Sequence, residues 1–243
     1  MSQDRLVIRG GRALSGTIVP SGNKNAALPI LAACLLTDEE VVLENVPDIL
    51  DVHVMLALLD DLGVNVRDEG PNSLALRAAD VRTTQLDPDL CRRLRASLLL
   101  AGPLLARCGQ VELPLAGGDF IGRRRVDTHL LAFRGLGAET EVARSYTMRH
   151  TGLSGAEIFL DEASVTATEN ALMAAVTATG RTVILNAASE PHVQDLARFL
   201  VERGAEIDGI GTNRLIVHGV DRLPGGRFRV GPDHIEIVSF IGL

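Results

Sequence analysis

Two kinds of apolar segment alternate along the chain. Residues 25–36 are apolar nearly all round, while residues 48–62 place apolar side chains on one face and acids on the other. A helix apolar on every side must be buried on every side, whereas an amphipathic helix can face water. Short runs alternating apolar and polar read as half-buried strands. The pattern predicts a strand over 16–20, a buried helix over 25–36 and a strand over 40–45. An amphipathic helix over 48–62 follows and stops at Gly63, a helix-ending signal. Strands over 64–68 and 73–77 then form a hairpin around the turn at 69–72.

The same order recurs twice. Leu153-Ser154-Gly155 echoes Leu14-Ser15-Gly16, Asn170-Ala171 echoes Asn25-Ala26, and Val183-Ile184-Leu185-Asn186 echoes the run that ends at Asn45. A helix over 191–203 and a hairpin over 206–219 complete that unit. The middle unit carries a buried helix over 94–106, a strand over 110–115 and an amphipathic helix over 126–136. Helix-ending glycines at 63, 137 and 204 set a period of roughly 70 residues, the mark of an internal repeat.

Units at about 14–78, 88–150 and 153–219 thus build one three-repeat domain over 22–230, with three buried helices inside and sheets outside. The βαβαββ order excludes an all-α bundle. Residues 1–21 and 231–243 fit no unit and read as strands of a second, incomplete domain. The apolar run at 237–243 has neither cap nor tail, so the chain is expected to be a fragment that lacks its C-terminal half.

Composition narrows the classes. Of the residues 46% are hydrophobic, 3% are aromatic and none is Trp, so the core is aliphatic. A net charge of −7 and few aromatics argue against nucleic acid as a partner. Cys34, Cys91 and Cys108 form no CxxC pair, which points to a reducing compartment. Residues 1–10 lack a signal-peptide core, and the apolar runs are shorter than the ~20 residues that cross a bilayer. A cytoplasmic protein with no membrane partner is expected.

Phosphate-loop, dinucleotide, zinc-protease and nucleophile-elbow motifs are absent, and the six His show no metal-ligand spacing. The chemistry gathers at the starts of the buried helices: Ser21-Gly22-Asn23-Lys24-Asn25, then Arg92-Arg93-Leu94-Arg95, then Ser164-Val165-Thr166. A helix N-terminus already favours anions, so a cation placed there gains from a bound anion. Lys24 is the single lysine among 24 basic residues, and a lysine buried there without an anion would be costly. Arg92 and Arg93 read as solvated face. The loop Gly117-Gly118-Asp119-Phe120-Ile121-Gly122-Arg123-Arg124-Arg125 reads either as an exposed loop or as a lid carrying an acid and cations.

These helix starts, Leu94-Arg95-Ala96-Ser97, the glycine-rich loop, Val126-Asp127-Thr128-His129 and Pro232-Asp233-His234-Ile235-Glu236 resemble the UDP-N-acetylglucosamine enolpyruvyl transferases along the whole chain. The resemblance implies an inside-out α/β barrel and a reaction without metal or organic cofactor. In that family the enolpyruvyl group of phosphoenolpyruvate moves to the 3′-hydroxyl of UDP-N-acetylglucosamine, the first committed step of peptidoglycan synthesis, and the resemblance implies the same reaction here. It implies that Lys24, Arg95 and Arg124 hold phosphoenolpyruvate, and that Asp119 is the general acid. It also implies that Asn25 hydrogen-bonds the sugar nucleotide, and that Arg124, Val126, Asp127, His129, Ser164 and Val165 form its uridine and diphosphate shell. The resemblance further implies that the family's base, an Asp, falls in a C-terminal half expected to be missing here, and so that the chain alone does not turn over. A noncatalytic paralogue that keeps the sugar-nucleotide site is the second reading.

Four positions depart from the family pattern: Asp119 where Cys is common, Arg125 for Pro, Glu162 for Lys and Thr166 for Gly. A carboxylic acid with a raised pKa still donates a proton, but it is not a soft nucleophile. Fosfomycin, an epoxide that alkylates the usual Cys, is therefore expected to leave Asp119 unmodified. Mass spectrometry after incubation checks this, and a covalent adduct on Asp119 would refute it.

Overall fold

The computed structural model describes residues 6–11, 13–114 and 125–243. The first repeat opens with α1 (Lys24–Ala33), prolonged by a 3-10 turn over Cys34–Leu36. It continues through β1 (Glu40–Glu44), α2 (Leu50–Asp61), β2 (Asn65–Gly70) and β3 (Ser73–Arg77). The second holds α3 (Pro88–Arg93), a 3-10 segment over Arg95–Leu100, α4 (Ala101–Cys108), β4 (Gln110–Pro114), α5 (Asp127–Gly135), β5 (Glu139–Val142) and β6 (Ser145–Arg149). The third holds β7 (Glu157–Phe159), α6 (Val165–Ala175), β8 (Arg181–Leu185), α7 (Pro191–Glu202), β9 (Glu206–Asp208) and β10 (Arg214–His218). Then come β11 (Gly226–Arg229) and α8 (His234–Gly242).

The strands form three sheets with the orders β11-β1-β3-β2, β4-β6-β5 and β7-β8-β10-β9. In each, the strand after the buried helix pairs antiparallel with its own hairpin. That strand also has a parallel neighbour: β7 beside β8, β11 beside β1, and an isolated bridge from Gln85 beside β4. Here the structure corrects the sequence reading. The strand expected over 16–20 does not form, because the edge of β1 is already occupied by β11, with Val41 opposite Gly226. The domain closes on itself, its last strand completing its first sheet.

Two asparagines mark the equivalence. Asn45 and Asn186, each just past its strand, have φ of 59° and 57°, a left-handed conformation that Asn tolerates better than most residues. Their amides donate to the Val230 and Leu160 carbonyls, which follow β11 and β7. The helix-ending glycines 63, 137 and 204 all have φ between 86° and 99°.

Helices lie inside and sheets outside. Every residue from Ala26 to Ala33 of α1 is buried, as is every residue from Ala167 to Ala175 of α6. β1 turns Val41 and Leu43 inward and leaves Glu40 exposed. The middle buried helix is not the continuous one expected over 94–106. Pro103 has no N–H to donate to the Leu99 carbonyl, so it suits the first turn of α4, and the chain before it winds as a 3-10 segment.

The ends also differ from expectation. Residues 6–11 and 13–21 are in no strand, and 234–242 is helical. Asp233 caps that helix by accepting from the Ile235 and Glu236 N–H groups, while no sheet edge among the described residues is paired with the segment.

At the crossing of α4 and α6, a Cβ on Gly102 would sit 2.7 Å from the Asn170 carbonyl oxygen and 2.8 Å from its side-chain oxygen. Gly to Ala in an open helix stabilises by about 1 kcal/mol. Gly102→Ala is expected to do the reverse, costing about 1–3 kcal/mol through overpacking. Urea unfolding checks this; an unchanged or raised midpoint would contradict it.

Candidate functional site

The starts of the three buried segments meet at one cleft of about 900 Å³. Lys24 and Asn25 come from α1, Arg95 from the 3-10 segment, and Ser164, Val165 and Thr166 from the start of α6. Asp51, Arg93, Arg125 and Glu162 also line it. Convergence follows from the repeat: each unit starts its buried helix from the same position, so the electropositive ends share one side of the domain. Asn23 caps α1, its side chain accepting from the Ala26 N–H at 3.0 Å, and Ser164 caps α6.

Lys24 is not a buried cation. Its Nζ lies 2.9 Å from Asp51 Oδ2, with the two side chains 46% and 36% exposed. An exposed pair of this kind contributes at most about 1 kcal/mol, so an incoming anion can compete for the ammonium. The first turn of α2 supplies Asp51, which sequence reasoning missed; the amphipathic helix opening beside a lone lysine was the available signal. Arg93, expected as solvated face, is exposed and lines the cleft, while Arg92 pairs with Asp89 on the surface.

Arg125 is held from two sides. Its Nε donates to Asp127 Oδ2 at 2.8 Å, and its guanidinium also pairs with Asp161. The bonds to Asp127 and Asp161 raise the arginine's pKa, and the bond from Arg125 lowers that of Asp127. The Thr128 hydroxyl, donating to Asp161 at 2.8 Å, leads in holding that carboxyl low, and Arg125 adds to it. Nothing in the sequence near Asp161 announced this clasp.

The remaining expected residues divide. Val126 is buried at the start of α5, and Asp127 is exposed and engaged by Arg125; neither lines the cleft. His129 is 1% exposed and lies behind the wall, its Nε2 3.1 Å from the Thr166 hydroxyl. Burial, and then the charge of Arg95, push its pKa down to about 3. Asp119 and Arg124 lie outside the described residues. Among the described residues no cluster of three or more His, Cys, Asp or Glu could hold a metal ion, and no helix is long and apolar enough to cross a membrane.

Buried helices wrapped by sheets, with their N-terminal ends gathered at a cleft lined by four cations, define the class of this α/β domain. The chain belongs to the EPSP synthase (3-phosphoshikimate 1-carboxyvinyltransferase) family, whose model matches residues 8–243. It is 56% identical to the UDP-N-acetylglucosamine 1-carboxyvinyltransferase of Bradyrhizobium diazoefficiens over 100% of this chain and 56% of that protein. It is 52% identical to the protein of the same name from Treponema denticola over 98% of this chain and again 56% of the relative. The chain therefore spans a little over half the length of these relatives. Among solved structures, the enolpyruvyl transferase NikO from Streptomyces tendae superposes with a TM-score of 0.81 at 25% identity, covering 96% of this chain and 56% of that one. EPSP synthase from Acinetobacter baumannii shares the fold, with a TM-score of 0.75 at 18% identity over 95% of this chain and 53% of that one.

The buried His129 sets a pH dependence. Its pKa falls from 6.5 to about 3 on folding, so between those values the unfolded chain binds a proton that the folded chain refuses. Stability is therefore expected to drop as the pH falls below about 6.5, by up to about 1.4 kcal/mol per unit for this group. Glu169, whose carboxyl pKa is pushed up by burial with Glu190 adding to the shift, contributes with the opposite sign. Comparing the parent with His129→Gln isolates the histidine: denaturant titrations should show a shallower acid slope in the variant. Identical slopes would contradict the assignment.

Proposed function

We propose that the protein transfers the enolpyruvyl group of phosphoenolpyruvate to the 3′-hydroxyl of UDP-N-acetylglucosamine, releasing phosphate in the first committed step of peptidoglycan synthesis. The observation that carries this reading is the meeting of Lys24, Arg95 and the α6 start in one cleft. The identity to carboxyvinyltransferases of that substrate supports it.

The chemistry is addition followed by elimination. The 3′-hydroxyl gives its proton to a general base as its oxygen bonds to C2 of phosphoenolpyruvate, and an acid delivers a proton to the C3 methylene, giving a tetrahedral adduct. Loss of a C3 proton then expels phosphate and restores the double bond. The substrate carries a phosphate and a carboxylate, so fixed cations are the main requirement. Lys24, Arg95 and Arg124 are assigned to that task. Asp119 is assigned as the general acid that serves C3. Asn25, Ser164 and Val165 are assigned to the sugar-nucleotide side, with Val126, Asp127 and His129 supporting it from outside the cleft lining. Taken alone, the 243 residues are proposed to bind without turning over.

Lys24→Ala decides between catalyst and binding paralogue. In the full-length protein, phosphate release from the two substrates is expected to fall by about 100-fold or more, the usual effect of removing one group that stabilises transition-state charge. Calorimetry with UDP-N-acetylglucosamine should still show binding. Full activity of the variant would overturn the role of Lys24. Sugar-nucleotide binding without turnover in the full-length parent would favour the paralogue.

A further inference from the structure

Thr166 stands in the cleft wall, in the first turn of α6, and its hydroxyl lies 3.1 Å from Nε2 of His129. Which of the two donates is decided two residues away. The Gly102 N–H points at one end of the Asn170 side-chain amide at 2.7 Å, and an N–H can only donate, so that end is the oxygen. The other end is the NH2. One hydrogen goes to the Leu98 carbonyl at 2.9 Å, a group that can only accept, and the other meets Nδ1 of His129 at 3.0 Å. Nδ1 is therefore an acceptor and carries no proton.

His129 is buried in contact with these groups and neutral at physiological pH, so its single ring proton is on Nε2. That N–H donates to the Thr166 oxygen. The hydroxyl hydrogen of Thr166 cannot also point back at the ring, and among the described residues no other group bonds to this hydroxyl.

We propose that Thr166 donates a hydrogen bond into the cleft, to a diphosphate oxygen of the bound nucleotide sugar. His129 and Asn170 are positioning residues that fix the hydroxyl's direction. This rests on the nucleotide-sugar reading given above. The same stretch offers the first-turn N–H groups of α6, where a helix N-terminus favours an anion, so the hydroxyl and the backbone would address one charged group.

The test is calorimetry of the purified protein with UDP-N-acetylglucosamine, comparing Thr166→Val and Thr166→Ser with the parent. A hydrogen bond to a charged group corresponds to about 10- to 100-fold in affinity, so the valine variant should weaken binding by that factor and the serine variant should restore most of it. In steady-state kinetics of the full-length protein the loss should appear in KM for the sugar nucleotide and leave KM for phosphoenolpyruvate unchanged. Nitrogen-15 NMR of the His129 ring should show a protonated Nε2 and a bare Nδ1. Equal affinity of parent and valine variant, or a proton on Nδ1, would overturn the proposal and leave the nucleotide-sugar reading standing. Failure of the parent protein to bind UDP-N-acetylglucosamine at all would overturn both.

Discussion

Between Leu98 and Gly102, where a helix would place its own N–H to carbonyl bond, the side-chain amide of Asn170 sits instead. It accepts from one backbone group, donates to the other, and has one hydrogen left for His129. A single residue of α6 thereby stitches the 3-10 segment to α4 and anchors α5 to both. The packing of the middle unit against the third depends on it. Each partner is buried, so losing the amide would leave three polar groups without water or protein to satisfy them. Gly102 is glycine for the same reason: a side chain there would occupy the amide's place.

From that stitch the cleft follows. Fixing α6 against the middle segment sets the distance between the Arg95 end and the Ser164 end, and the closure of β11 onto β1 brings the start of α1 to the same side. The chain carries a net charge of −7, yet four cations line one cleft. Carboxylates of Asp51, Asp127 and Asp161 hold two of them in place. The arrangement keeps cations ordered before a ligand arrives, which lowers the entropic cost of binding.

Much of this was legible in the sequence. The all-round apolar helices at 25–36 and in the third unit announced what is buried, the glycines at 63, 137 and 204 announced the repeat, and the cationic helix starts announced the cleft. What escaped the reading is non-local. The strand beside β1 comes from residues 226–229, because pairing depends on which edge is open rather than on the nearest apolar run. The break before α4 reflects Pro103 together with a side chain 68 residues away. Asn170 itself was a visible signal, a polar residue inside an otherwise apolar helix, and such residues are there to satisfy something. His129 read as a ligand-facing residue because sequence cannot tell the wall of a cleft from the layer behind it.

The central claim is that the ends of the three buried segments form one anion site. A crystal structure with UDP-N-acetylglucosamine tests it most directly. The diphosphate is expected at Val165 and Thr166, with Lys24 and Arg95 facing the sugar side of the same cleft. A nucleotide seated elsewhere, such as in the groove of about 640 Å³ between α2 and the β2–β3 turn beside Pro47, His53 and Asn72, would contradict it.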